Sequence, residues 1–324
     1  TPFEAVTGMY SLPGRHDIDP TAILAPFYFL FFGLMLSDAA YGLILTTLCA
    51  IILKKYKPEG TTHRMIKMFM FCGLSTFMWG ALFGGWFGNF FTVAAKTFFG
   101  KEFVIRPLWF DPLSEPMRLL VVSLILGAIH LFVGMGVQAY MDIKDGRPLD
   151  ALFDIGLWYL LLIGIVLFAF GGKLGAGAVG IGKIMAIVGA VGILLTGGRK
   201  KKGIFGKLTG GLGSLYGITS YLSDVLSYSR LLALGLATGV VAQVFNTLGS
   251  LAGGGIAGSI LLIVVFAFGT VFNIAINALG AFVHSCRLQY VEFFGKFYTG
   301  GGRPFAPFER KTKYIKILKE GNDN

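Results

Sequence analysis

Residues 256–297 read IAGSILLIVVFAFGTVFNIAINALGAFVHSCRLQYVEFFGKF, and no Asp, Glu, Lys or Arg occurs in this stretch before Arg287. A membrane-crossing helix needs about 20 mostly apolar residues, and this run exceeds that length. Six more apolar runs precede it, at 22–53, 65–95, 117–140, 151–170, 180–197 and 217–251. The first is long for one helix and is interrupted at Ser37-Asp38-Ala39. It reads either as one tilted helix or as two short crossings turning near Asp38, which gives seven or eight crossings in all.

Composition agrees. Of 324 residues, 55% are hydrophobic and only 14% charged, and the mean hydropathy is +0.72. A soluble domain carries roughly 25% charge, so too few polar side chains remain to cover a water-facing surface. A soluble enzyme, a disordered chain and a disulfide scaffold are excluded on that ground. The expected fold class is an all-α, polytopic transmembrane helical bundle. Glycine, at 47 residues, suits close helix contacts in a membrane. Cys49, Cys72 and Cys286 are far apart in sequence and imply no disulfide framework.

The net charge of +11 would suggest nucleic acid in a soluble chain, but here the basic residues gather in short loops between apolar runs. Lys54, Lys55, Lys57, Arg64 and Lys67 occupy one loop and its edges; Lys144 and Arg147 lie in another; Arg199 to Lys202 and Lys207 lie in a third. The tail is basic as well. The alternate loops hold fewer, namely Lys96, Lys101, Arg106, Arg118 and Lys173. The richer set marks the cytoplasmic side, so the C-terminus is expected in the cytoplasm and nucleic acid is not an expected partner.

Charges inside a membrane are expensive and are functional candidates by default. Arg230 and Arg287 lie within the two longest C-terminal runs. An arginine stays protonated, so it acts as a fixed positive charge, not as a proton carrier. Asn273, Asn277, His284 and Arg287 follow at steps of four, seven and three, and so share a helix face. Glu292 follows more than a turn later. In the preceding run Ser220, Ser223, Asp224, Ser227 and Arg230 form a hydrophilic strip, with Gly235, Thr238, Gly239 and Gln243 beyond it. The blander reading of Asp224 and Arg230 is a mutually neutralising structural pair. Asp38 is read equally as a water-accessible charge or as a helix-cap aspartate. His130, alone in an apolar run, is expected to be a hydrogen-bonded packing residue. No His, Cys, Asp or Glu cluster has metal-ligand spacing, and there is no nucleophile elbow. Neither a cofactor nor a metal is expected.

Several stretches resemble one family. They are TPFEAVTGMYSLP (1–13), DPTAILAPFYFLFFGLMLSDAAYG (19–42), WGALFGGWFG (79–88) and WFDPLSEPMRLLVVSLILGAIHLFVGM (109–135). The most specific are SYLSDVLSYSRLLALGLA (220–237) and ALGAFVHSCRLQYVEFFGKFYTGGGRPFAPF (278–308). Together they resemble the C-terminal membrane region of subunit a, called subunit I in prokaryotes, of rotary V/A-type ATPases. That resemblance implies about eight helices, of which the two long C-terminal ones face a rotor ring of small carboxylate-bearing subunits. It also implies a large cytoplasmic N-terminal domain ahead of residue 1. Residues 1–19 are then a leading segment, 20–298 the transmembrane domain and 299–324 a cytoplasmic tail.

The role implied is that of a stator that hydrolyses no ATP itself. It would meet the ring, other stator and central-stalk subunits, and the lipid bilayer. Arg230 matches the family's essential arginine and Arg287 its partner. By this topology Asp224, Tyr228 and Glu292 lie on the cytoplasmic side of the arginines, and Asn277, Gln243 and Asp38 on the external side. The ion carried would be H+ or Na+. Asn277 and Tyr216 stand where some relatives have carboxylates, and Ser37 stands where a glycine commonly precedes the family aspartate. The competing reading is a secondary transporter that binds an anionic substrate through its buried arginines; pseudo-symmetric halves, which such a fold often shows, are not visible in the sequence.

Overall fold

The computed structural model describes residues 2–14, 17–100, 105–171, 176–197, 199, 204–251 and 255–302. Lys101, Lys173, the Lys200–Lys202 cluster and the tail beyond residue 302 lie outside these.

The described residues are almost entirely helical, with one isolated β-bridge between Leu12 and Gly302. A short α1 (Glu4–Tyr10) leads into α2 (Thr21–Leu36), α3 (Ala39–Tyr56), α4 (Gly60–Phe83), α5 (Phe90–Phe99) and α6 (Pro116–Lys144). A three-residue α7 (Pro148–Asp150) and a π-helical turn (Ala151–Gly156) open α8 (Leu157–Phe170), followed by α9 (Ala176–Thr196). The last two runs become α10 (Ile204–Ser227) with α11 (Ser229–Ser250), and α12 (Ile256–Arg287). A π-helical turn (Leu288–Phe294) and α13 (Gly295–Phe297) extend α12. Among the described residues seven helical runs are long and apolar enough to cross a membrane, and Thr21–Leu36 is a shorter apolar helix.

The first apolar run is thus two helices, and the packing on α4 shows that they run in opposite directions. Along α2, Phe32 meets Phe69 and Gly33 abuts Ser75. Along α3, Ala39 abuts Gly80, Gly42 abuts Phe77 and Thr46 reaches Met70. So α2 runs parallel to α4 and α3 antiparallel to it, and the chain reverses at Ser37-Asp38. The contact with α3 is too close for a side chain, since a Cβ on Gly80 would lie 2.0 Å from the Ala39 nitrogen.

At 1.5 Å per residue, the 16 residues of α2 span about 24 Å, less than the ~30 Å of bilayer hydrocarbon. The reversal therefore sits below the membrane surface, where backbone polar groups need internal partners. Asp38 supplies most of them. Its Oδ1 accepts from the backbone N–H of Ala40 (3.0 Å), Tyr41 (3.2 Å) and Phe87 (3.1 Å), and its Oδ2 from that of Gly88 (2.9 Å). The first two bonds cap α3. The others hold a loop after α4 in which Phe87 (φ 54°) and Gly88 (φ 63°) are both left-handed. Ala39 also donates to the Gly85 carbonyl at 2.8 Å.

Both ends of the described chain lie on one side. Arg64 pairs with Glu4 at 3.0 Å, the Tyr290 hydroxyl donates to the Val6 carbonyl at 2.6 Å and that of Tyr298 to the Ser11 carbonyl at 2.8 Å. The Leu12–Gly302 bridge closes the group. Ends on a common side agree with eight crossings and not with seven.

Candidate functional site

The run 217–251 is a broken helix. Tyr228 interrupts it between α10 and α11, although no Gly or Pro lies nearby. Two contacts accompany the interruption. Ser227 Oγ donates back to the Ser223 carbonyl at 3.1 Å, a bond that bends helices. The Tyr228 ring is fully buried against Gly127 of α6, where a Cβ would come within 2.3 Å of it. Arg230 follows two residues later and is half-buried. The helix α12 loses its α-helical register immediately after Arg287, in the π-turn Leu288–Phe294. Such turns recur at functional sites.

The two arginines share a seam between α11 and α12, and their charges lie close enough to interact with one another and with His284. Arg287 is exposed on an apolar outer face, with Leu279, Val283 and Val291 also exposed on the same stretch of helix. Arg230 Nη1 and His284 Nδ1 are buried without a hydrogen-bond partner among the described residues. Among the described residues neither arginine has a carboxylate in ion-pair contact, though Glu292 is near enough to interact with Arg230.

On the side of the chain ends, Asp224 pairs with Lys296 at 2.5 Å, and the ammonium also lies over the Tyr221 ring, 4.2 Å from its centroid. Asp224 therefore does not neutralise Arg230. Glu292 is buried beside Ser227, with Oε2 making no hydrogen bond among the described residues. Tyr228 bonds to His130, its hydroxyl 2.7 Å from Nδ1. On the opposite side a cleft of about 230 Å³ is lined by Ser37, Asp38, Asn89, Asp111, Thr238 and Gln243, among others. It also reaches Gly235, five residues and so about 7.5 Å along the helix from Arg230. Asn246 walls this region by donating to the Phe87 carbonyl at 2.9 Å and to Asn89 Oδ1 at 3.0 Å.

The sequence-derived candidates therefore divide. Arg230, Arg287 and His284 come together on the seam, with Glu292 beside them. Gln243 and Asp38 share the cleft, where the Asp38 carboxylate is committed to four N–H donors. Asn273 and Asn277, placed by spacing on the face of Arg287, are buried. Asn273 donates to the Tyr41 hydroxyl (3.0 Å) and the Thr238 carbonyl (3.1 Å), and Asn277 bonds to Asn273. Sequence reasoning missed Lys296, Gln289 and Asn246. Lys296 was detectable, since it lies one helical turn beyond Glu292.

A polytopic α-helical membrane protein with a guanidinium pair on the outer seam of its last two helices is the class that these features define. Residues 218–310, which contain both arginines, match the V-type ATPase 116kDa subunit family. The chain is 36% identical to A-type ATP synthase subunit I of Methanocaldococcus jannaschii, covering 97% of this chain and 48% of that protein. It is 37% identical to the Thermococcus kodakarensis A-type ATP synthase subunit I, over 98% and 48%. With V-type ATP synthase subunit I of Chlamydia trachomatis it shares 23%, over 95% and 54%. The chain belongs to the V-type ATPase 116kDa subunit family, and it spans about half the length of the curated relatives it matches.

Proposed function

We propose that this chain is the ion-conducting, non-catalytic stator region of a rotary A/V-type ATP synthase, working beside a membrane ring of carboxylate-bearing subunits. The observation that carries this reading is Arg287, exposed on an apolar face with a half-buried Arg230 near it. A charged side chain at bilayer depth costs at least about 2.5–3.5 kcal/mol. A face that carries such a charge is balanced by an anionic group from outside the chain. A ring carboxylate meets that need: the arginines favour its ionised form as it arrives, and it is neutralised again before it turns back to face lipid. A transporter that binds an anionic substrate would instead aim the pair into an internal pocket.

Two polar approaches flank the pair. The cleft at Gln243, Asn89 and Asp111 forms one half-channel, on the external side. Asp224, Ser227, Tyr228 and Glu292 line the other, toward the cytoplasm, where the basic loops and the chain ends lie. Asp38 shapes the external approach by fixing its loop, and Asn277 braces α12 within the bundle. The two fixed positive charges block direct passage of a cation from one approach to the other. Arg230→Ala or Arg230→Gln in the complete complex should abolish ATP-driven ion pumping while the complex still assembles. Wild-type pumping by either variant refutes the stator reading.

A further inference from the structure

The geometry points to His130 as a positioning residue that sets the register of the two arginines; this rests on the stator reading above. His130 belongs to α6, outside the α11–α12 seam, and is fully buried. Its ring lies between Phe27 and Phe293, with centroids 4.4 and 4.3 Å away. One edge, Nδ1, bonds to Tyr228, and the ring stacks on Phe293 of the π-turn, close enough to the Gln289 side chain to interact with it. Nε2, Gln289 Nε2 and Gln289 Oε1 are all buried and make no hydrogen bond among the described residues.

These two contacts fall at the two irregular points of the seam. Tyr228 is the break between α10 and α11, two residues before Arg230; Gln289 lies in the π-turn, two residues after Arg287. Tyr228 and Gln289 are both fully buried, whereas Arg287 two residues away is exposed and Arg230 half-buried. One imidazole, bonded to Tyr228 at the break and stacked on Phe293 in the π-turn, fixes how far apart, and in which direction, the two arginines stand. An apolar ring in its place would fill the slot between Phe27 and Phe293 but would lose the bond to Tyr228 and leave Gln289 beside a surface with no polar atom. The regular i→i−4 ladder is interrupted at both points, with i→i−3 bonds at Tyr228 and a π-turn at Leu288–Phe294, so a side-chain anchor has leverage there.

The test uses His130→Phe in the complete complex, with His130→Asn (which retains an amide near Nδ1) as the conservative variant. Tyr228→Phe and Gln289→Leu, which remove the polar partners alone, stand in if His130→Phe does not assemble. Misplacement of a reacting group by ~1 Å can cost about a hundredfold in rate. On that scale, ions pumped per ATP hydrolysed should fall about threefold to tenfold, with assembly kept, and His130→Asn should recover part of the loss. Spin labels at the exposed positions Ala233 and Val283 should show a shifted or broadened distance in His130→Phe. That readout does not depend on transport. Normal coupling with an unchanged distance overturns the proposal, as does poor assembly whose surviving complexes couple normally. Normal pumping by Arg230→Ala would instead overturn the stator reading, and the distance measurement would still decide whether His130 sets the seam.

Discussion

Replacing Asp38 with alanine removes four hydrogen bonds at one stroke, and the structure says where the damage goes. Two of the bonds cap α3; a lost cap costs about 1 kcal/mol. The other two hold the amides of Phe87 and Gly88 in a loop of two consecutive left-handed residues. Leaving a buried donor unsatisfied costs about 1–3 kcal/mol. The free energy that keeps this loop closed should therefore fall by about 2–6 kcal/mol for the pair. At about 1.4 kcal/mol per tenfold, even the lower figure speeds amide exchange by about thirtyfold. Hydrogen–deuterium exchange across residues 84–90 measures this directly, because local opening is what it reports. Asp38→Asn should be milder, since its oxygen can replace Oδ1 and serve Ala40, Tyr41 and Phe87. Its amide would then face the N–H of Gly88, donor against donor, so Gly88 should exchange faster than Phe87. Unchanged exchange across 84–90 in Asp38→Ala would refute the assignment of this carboxylate as the loop's anchor.

Further outcomes concern helix contacts and charges. Gly80→Ala should lower the melting temperature measurably in detergent, because its Cβ would lie 2.0 Å from the backbone of α3 and overpacking costs about 1–3 kcal/mol or more; Gly177→Ala, with open space around it, should not. Asp224→Ala strands the Lys296 ammonium and should cost about 1–3 kcal/mol, less than for a fully buried pair, and the double variant with Lys296→Met should recover most of the lost melting temperature. Asp17 lies outside the membrane spans. Burial pushes its carboxyl up, but hydrogen bonds from Thr299, Gly300 and Gly14 outweigh that and hold it below its ordinary 3.8. A carboxyl held low in the folded state stabilises above its unfolded value, and that contribution fades as pH falls through its lowered folded value. The protection factor at Gly300, which removes the pH dependence of intrinsic amide exchange, should therefore hold constant through neutral pH and fall only in strong acid; a fall already between pH 6 and 8 would contradict this account.

Much of the fold was legible because hydropathy is a long-range property of each run, and a crossing needs no knowledge of its neighbours. Even the interruption at Ser37-Asp38-Ala39 was visible. Whether it reversed the chain was not, because that depends on which sides of α4 accept α2 and α3. The arginine pair was legible as well, since charge in an apolar run stands out. The partners were harder. Asp38 is completed by amides about fifty residues away, which no local pattern announces. The Asp224–Arg230 pairing could have been rejected from spacing, because six residues turn a helix by about 600°, leaving the two about 120° apart. Asn273 and Asn277 misled for the opposite reason. They share the angular face of Arg287, but α11 and α3 cover that face at their level and leave it uncovered at Arg287.

The bridge between Leu12 and Gly302 makes this bundle, in effect, a closed loop of helices. Force applied through Leu12 or through Gly302 is therefore shared between the first crossing and the last, so a tug on one flank of the bundle is felt at the other.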